Sequence, residues 1–178
     1  MGRKVDSVID FIYMSLSFFK KKKTNMVNLT DEEKLLLDFS VFKPLNKFEI
    51  KIFNAIVFER NYKAGEVIYQ KNHPNVVMYF IREGEVDVYD KENDENPTKV
   101  LKKGNLLGSI EIFTGTKRLS TAVAKTNCQL LAISKYDFRN LVKNKPRIGS
   151  KILYAFCEKY SNSLYEKIIE KGNDDKED

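Results

Sequence analysis

The residues that usually carry catalysis or hold metals are scarce in this chain. Of 178 residues, two are cysteine (Cys128 and Cys157) and one is histidine (His73). Two cysteines build neither a disulfide framework nor a thiolate zinc site, so the expected compartment is a reducing cytosol. One histidine excludes a His-rich metal site and any His dyad, and no metal-ligand spacing is present. A Ser-His or Cys-His nucleophile would need His73, yet Asn72-His73-Pro74-Asn75 has the chemistry of a polar turn. There is no paired-carboxylate motif either, so an enzyme is not expected. Long apolar runs are also missing, since none reaches the ~18 residues that a spanning helix takes.

What the chain does have is positive charge. Its 31 Lys+Arg against 25 Asp+Glu give a net +6. Such a balance suggests nucleic acid, an anionic membrane or a phosphorylated ligand. Residues 1–28 alone carry +4, from six basic residues (Arg3, Lys4, Lys20 to Lys23) against Asp6 and Asp10. Residues 8–19, VIDFIYMSLSFF, are apolar nearly all round. Asp10 and the four lysines that follow argue against a signal peptide, and Asp6 stands where a myristoylation signal has Ser or Thr. Two readings stay open for 1–28. One is an interfacial helix on anionic lipid, peripheral to the inner membrane face. The other is a helix packed on its own domain or a second subunit, which the breadth of its apolar surface favours.

Residues 29–171 read as one domain, and 172–178 as an acidic disordered tail. Thr30…Glu33, Asn46…Glu49 and Ser134…Asp137 each pair a capping residue with a carboxylate three positions on, the mark of a helix start. The second helix is expected to turn Phe48, Ile52, Phe53 and Ile56 to one side. Between Phe58 and Ile133 the pattern changes to short strands. Residues 76–81 are a continuous apolar strand, and 85–89 alternate, with Val86 and Val88 inward. Glu83-Gly84 between them signals a hairpin. Residues 90–99 read as a solvated loop. The class is mainly β with flanking helices, a barrel, sandwich or jelly roll. A long helix opens at Pro146, on which Leu153, Cys157, Tyr160 and Leu164 form a seam for a partner helix or for the domain itself.

The segment richest in chemistry runs from Lys102 to Ile133. A strand ends at Leu107, Gly108 permits a tight turn, and Ser109 caps a short helix through Phe113. A second turn follows at Thr114-Gly115-Thr116, and Arg118 opens the next strand. A glycine turn running into a short helix presents free backbone N–H groups to an anion. The arginine fork suits phosphate, with the Ser120 and Thr121 hydroxyls nearby. The bare reading is a phosphate cradle inside a β roll. The bland alternative is a structural arginine paired with an acidic neighbour.

These residues resemble the cyclic nucleotide-binding domain of catabolite activator-type regulators, kinase regulatory subunits and cyclic-nucleotide-gated channels. The resemblance runs from about Leu45 to about Leu164. It is carried by YKAGEVIYQKN with Gly65, YFIREGEVDVY with Gly84, LKKGNLLG with Gly104 and Gly108, and the gapless stretch from Leu107 to Ser134. It implies an eight-stranded double-stranded β-helix (jelly roll) with a long C-terminal helix that lids the ligand. It also implies a ligand site at Gly108, Ser109, Ile110, Arg118, Leu119, Ser120 and Thr121, with cyclic AMP or cyclic GMP as ligand. Two departures matter. The family holds the ribose hydroxyl with a Glu where this chain has Ser109, and Glu111 lies two positions on, on the next face of the short helix. The family also has a small or hydroxylated residue where this chain has Leu119. A hydrogen bond to a charged group is worth about 1.5–3 kcal/mol, so losing one weakens binding roughly ten- to a hundredfold.

The expectation is a stand-alone cytoplasmic regulatory module that senses a cyclic nucleotide or another small phosphorylated anion. The alternative is a degenerate domain that dimerises or docks a partner protein through its N- and C-terminal helices. DNA binding is not expected. A helix-turn-helix needs two helices of ~11 residues and a turn, and eight residues, four of them acidic, follow Glu170.

Overall fold

Strands without polar alternation need burial on both faces. The two such runs, β3 (Val77–Glu83) and β8 (Cys128–Ser134), pair at the centre of one sheet. In the computed structural model, which describes residues 28–91 and 94–174, eight strands form two four-stranded antiparallel sheets. The first runs β1-β8-β3-β6, with β1 at Phe58–Tyr62 and β6 at Leu106–Leu107. The second runs β2-β7-β4-β5, from β2 (Val67–Tyr69), β7 (Thr121–Ala124), β4 (Val86–Tyr89) and β5 (Lys99–Leu101). This is the β roll with flanking helices that the sequence suggests.

The alternation of side chains along β3 and β8 divides the core in two. Tyr79, Ile81, Leu130 and Ala132 point into the roll and meet Val86, Val88, Ala122 and Ala124 of the other sheet. Met78, Phe80, Leu131 and Ile133 point outward and meet the helices. Those helices are α1 (Asp31–Leu35), α2 (Lys47–Asn54), α4 (Lys135–Asn144) and α5 (Pro146–Asp174); a short α3 (Ser109–Thr114) belongs to the roll. Phe80 is the hub of the outer core. Its ring centroid lies 5.2 Å from Phe39 and 5.0 Å from Phe42, and Phe42 lies 4.4 Å from Phe53.

The expected helix starts are present. Thr30 with Glu33 and Asn46 with Glu49 form reciprocal capping boxes, and Ser134 Oγ accepts the Asp137 N–H at 3.0 Å. The buried face of α2 differs from expectation. Ile50 and Phe53 are buried, whereas Phe48 is 64% exposed and Ile52 and Ile56 are half-buried. The outer aromatic cluster selects the face through Phe53, and Phe48, in the first turn, lies off it. On the buried face Glu49 also accepts from Lys151 of α5, at 2.7 and 2.9 Å, which ties α2 to α5.

The hairpin expected at Glu83-Gly84 is not one. β3 and β4 lie in different sheets, and each pairs instead with the β7–β8 ribbon. Both ribbons bend at the same level, where Lys125 and Thr126 N–H donate to Glu85 O. Gly84 has φ +89°, and a Cβ there would lie 2.4 Å from Asn127 O. Turn residues mark a change of direction but not its angle, and here the angle is a corner between sheets.

The leader expected at 1–28 and its membrane or docking role fall, but for Asn28, outside the described residues, as do residues 175–178 of the expected tail. Among the described residues, no helix is long and apolar enough to cross a membrane.

Candidate functional site

Two turns meet at the site. Gly108, with φ +66°, turns the chain from β6 into α3, and its carbonyl accepts from Asn75 Nδ2 at 2.8 Å. The polar turn around His73 is the second, and it holds the Arg118 backbone. Asn72 N donates to Arg118 O and Arg118 N donates to His73 O, both at 2.9 Å. Arg118 therefore sits three residues before β7 instead of opening it. Ser109 does not cap α3 with its side chain either. Gly108 is the cap, and Ser109, the first helical residue, is buried.

This backbone places the Arg118 side chain beneath Gly108, only 3% exposed. Its Nη2 donates to Val77 O at 2.6 Å, and the guanidinium carbon lies 4.0 Å from the centre of the Tyr69 ring. Nε and Nη1 are buried and have no partner. A Cβ on residue 108 would come within 1.7 Å of Nη1, so a larger residue would have to push the Arg118 guanidinium aside as well as adopt this φ. Burial lowers the Arg118 pKa, against which Tyr69, Tyr79 and Glu111 act in the opposite sense. Arginine keeps its charge even so. The result is a cation out of water with part of its hydrogen-bonding capacity unused.

Above this arginine is a cavity of about 410 Å³, a size suited to a small ligand. Gly108, Ser109, Ile110, Leu119 and Ser120 line it, with Lys71 and Lys99 contributing positive charge. Of the other expected residues, Arg118 lies behind the wall, and Thr121 faces an adjoining cavity and accepts the Lys71 N–H at 3.1 Å. Glu111, expected on another face, lines the same cavity; it is 6% exposed, and its Oε1 accepts the Leu119 N–H at 3.3 Å. Sequence reasoning missed Asn75 and Tyr69. Asn75 carries no signal beyond its turn, and Tyr69 reads as one more strand aromatic.

Helix α5 reaches the site through aromatic rings. Phe113 of α3 lies 5.0 Å from Phe156 and 6.4 Å from Tyr160, and Tyr160 stacks on Phe156 at 5.9 Å. Burial raises the Tyr160 pKa, while the neighbouring Ser109 hydroxyl acts the other way. Tyr154 is exposed. Ile110 is shared by the ligand cavity and an apolar cleft of about 530 Å³ that also contains Phe113, Leu153, Phe156 and Leu164.

Residues 59–145 match the family model described as "Cyclic nucleotide-binding domain". Over just under half of the chain, the roll resembles a cyclic nucleotide-binding domain. Over 131 residues the chain is 27% identical to the cAMP-dependent protein kinase regulatory subunit of Dictyostelium discoideum, covering 72% of this chain and 40% of that relative. The chain thus spans less than half the length of this relative. Among solved structures, a cyclic nucleotide-binding domain from Methylobacillus flagellatus superposes with a TM-score of 0.67 at 19% identity, over 79% of this chain and 83% of that one. The catabolite activator protein of Thermus thermophilus gives 0.64 at 20% identity, over 74% and 61%. At such identities the structural likeness speaks for the fold alone.

Proposed function

We propose that this domain is a regulatory sensor whose cavity takes a small phosphorylated anion of the cyclic nucleotide class. The observation that carries the reading is Arg118, a buried guanidinium with Nε and Nη1 unpartnered beneath the Gly108 turn. A buried charge without a counter-charge is costly, and a phosphate in the cradle offsets that cost. Gly108 to Ile110, Leu119 and Ser120 would surround the ligand. The kinase regulatory subunit it resembles, named as cAMP-dependent, points to cyclic AMP as the first ligand to try. Phe113 and Ile110 would pass occupancy to α5, the element whose position is the output. Nothing in this arrangement calls for catalysis by the domain.

Calorimetry on the full chain with millimolar cyclic AMP, cyclic GMP and cyclic dinucleotides tests this. Heat of binding that vanishes in Arg118→Glu is the expected result. No heat with any of them removes the cyclic-nucleotide reading.

A second reading has its own observation. Leu164, Tyr165, Ile168 and Ile169 are exposed along the outer part of α5. An apolar strip of this kind suits a second copy or a partner helix, and it is compatible with sensing. Sedimentation of the wild-type chain against Leu164→Glu/Ile168→Glu tests it. A dimer that dissociates supports it, and a wild-type monomer at high concentration ends the homodimer form.

A further inference from the structure

Two oppositely charged side chains are buried at this one cradle. Arg118 lies beneath Gly108 with two nitrogens unpartnered, and Glu111, 6% exposed, lines the cavity above. Their carboxylate and guanidinium form no ion pair, so Glu111 does not simply neutralise the arginine. Its Oε1 instead accepts the N–H of Leu119, the residue directly after Arg118, at 3.3 Å. Leu119 lines the cavity, so its N–H is a donor within reach of an anion there, and it is already taken by a carboxylate. At 3.3 Å the bond is longer than the usual 2.7–3.2 Å for N–H···O, so an incoming oxygen can displace it.

We propose that the Glu111 carboxylate occupies the anion position of the cradle as a tethered competitor, which a ligand's phosphate must displace in order to bind. The inference rests on the anion reading above and names the residue that sets its affinity. Two effects act together. Glu111 occupies the Leu119 donor, and its negative charge repels a phosphate brought to Arg118. The wild-type site is therefore a weak phosphate binder even though it holds a buried arginine. On ligand entry the Glu111 side chain would have to turn away from the Leu119 N–H, on a helix whose Phe113 rests on Phe156 of α5. Displacement of Glu111 thus takes place on the element that contacts α5.

The test compares full-length wild type, Glu111→Ala and Glu111→Gln, with cyclic AMP and inorganic phosphate as probes. Calorimetry reads affinity, and thermal melting reads stabilisation by phosphate. Removing the competitor releases one donor and one like charge, so Glu111→Ala is expected to bind cyclic AMP about 10- to 100-fold more tightly than wild type. Phosphate should raise its melting temperature more than it raises that of wild type. Glu111→Gln should fall between them, because its amide oxygen still accepts the Leu119 N–H without the charge. If Glu111→Ala does not fold, as far-UV circular dichroism would show, the isosteric Gln variant carries the comparison. Equal or weaker binding by the variants overturns this proposal and leaves the anion reading standing. Failure of all three chains to bind either probe removes both.

Discussion

Arg118 is a cation kept from water with two of its three nitrogens unpaired, which makes it a source of instability in the unliganded fold. Keeping one such charge out of water costs several kcal/mol, a cost that an apolar side chain of similar length relieves. Arg118→Met also gives up the Val77 carbonyl bond and the Tyr69 contact, so the net gain should be small. Without ligand, Arg118→Met is expected to melt at or above the wild-type temperature while losing all response to cyclic AMP. Melting well below wild type would mean that the arginine is structural. Gly108→Ala should act in the opposite direction. It forces a side chain into left-handed backbone at about 1–3 kcal/mol and pushes against Nη1, so its urea midpoint should fall. At this scale the sequence was partly legible. Gly108 and Arg118 stand out by residue type and spacing. Glu111 did not, because a position two residues along a six-residue helix does not say which wall its carboxylate reaches. Asn75 and Tyr69 come from turns and strands far along the chain, and their meeting depends on tertiary pairing.

Elements join at two places, and each makes a prediction. The first is the Glu49–Lys151 pair between α2 and α5. Burial alone would raise the Glu49 pKa, but the Lys151 ammonium and the Asn46 backbone N–H outweigh it and hold it below the ordinary range. A carboxylate with a lowered folded-state pKa contributes stability above its unfolded pKa, and that contribution is lost as pH falls through the folded value. Urea midpoints should therefore drop on the acid side, from about pH 5 downward, and Lys151→Met should flatten that drop. A slope unchanged in the variant would show that the pair adds nothing. The second junction is Phe113, whose ring bridges α3 to Phe156 and Tyr160. Phe113→Ala should cost about 1–2 kcal/mol, less than a fully buried Phe, and should abolish any protection of α5 amides by ligand in hydrogen exchange. Element boundaries were legible where capping chemistry marks them, as at Thr30, Asn46 and Ser134. The Glu83-Gly84 corner was misread because local turn chemistry is the same for a hairpin and for a bend between sheets. The exposed Phe48 was misplaced because α2 has more apolar residues than its one buried face can take.

At the scale of the molecule, a roll with small inward side chains, Ala122, Ala124 and Ala132 among them, leaves its bulk on the outer helical face, where the phenylalanines gather. The cavity beside α3 has α5 leaning on that helix through the Phe113, Phe156 and Tyr160 rings. This joins a site with few stabilising bonds of its own to an element that is otherwise well anchored. Residues 1–28 carry +4 of the net +6, and the cavity lining sets Lys71 and Lys99 against Asp90 and Glu111. The claim that organises these observations is that the cradle over Arg118 receives a phosphate. The most direct measurement is the electron density of crystals soaked with cyclic AMP at millimolar concentration. The account predicts a nucleotide whose phosphate oxygens lie within hydrogen-bond distance of Arg118 and the Leu119 N–H, with Glu111 turned away. A nucleotide bound elsewhere, or an unchanged cavity with Glu111 still on the Leu119 N–H, would contradict it.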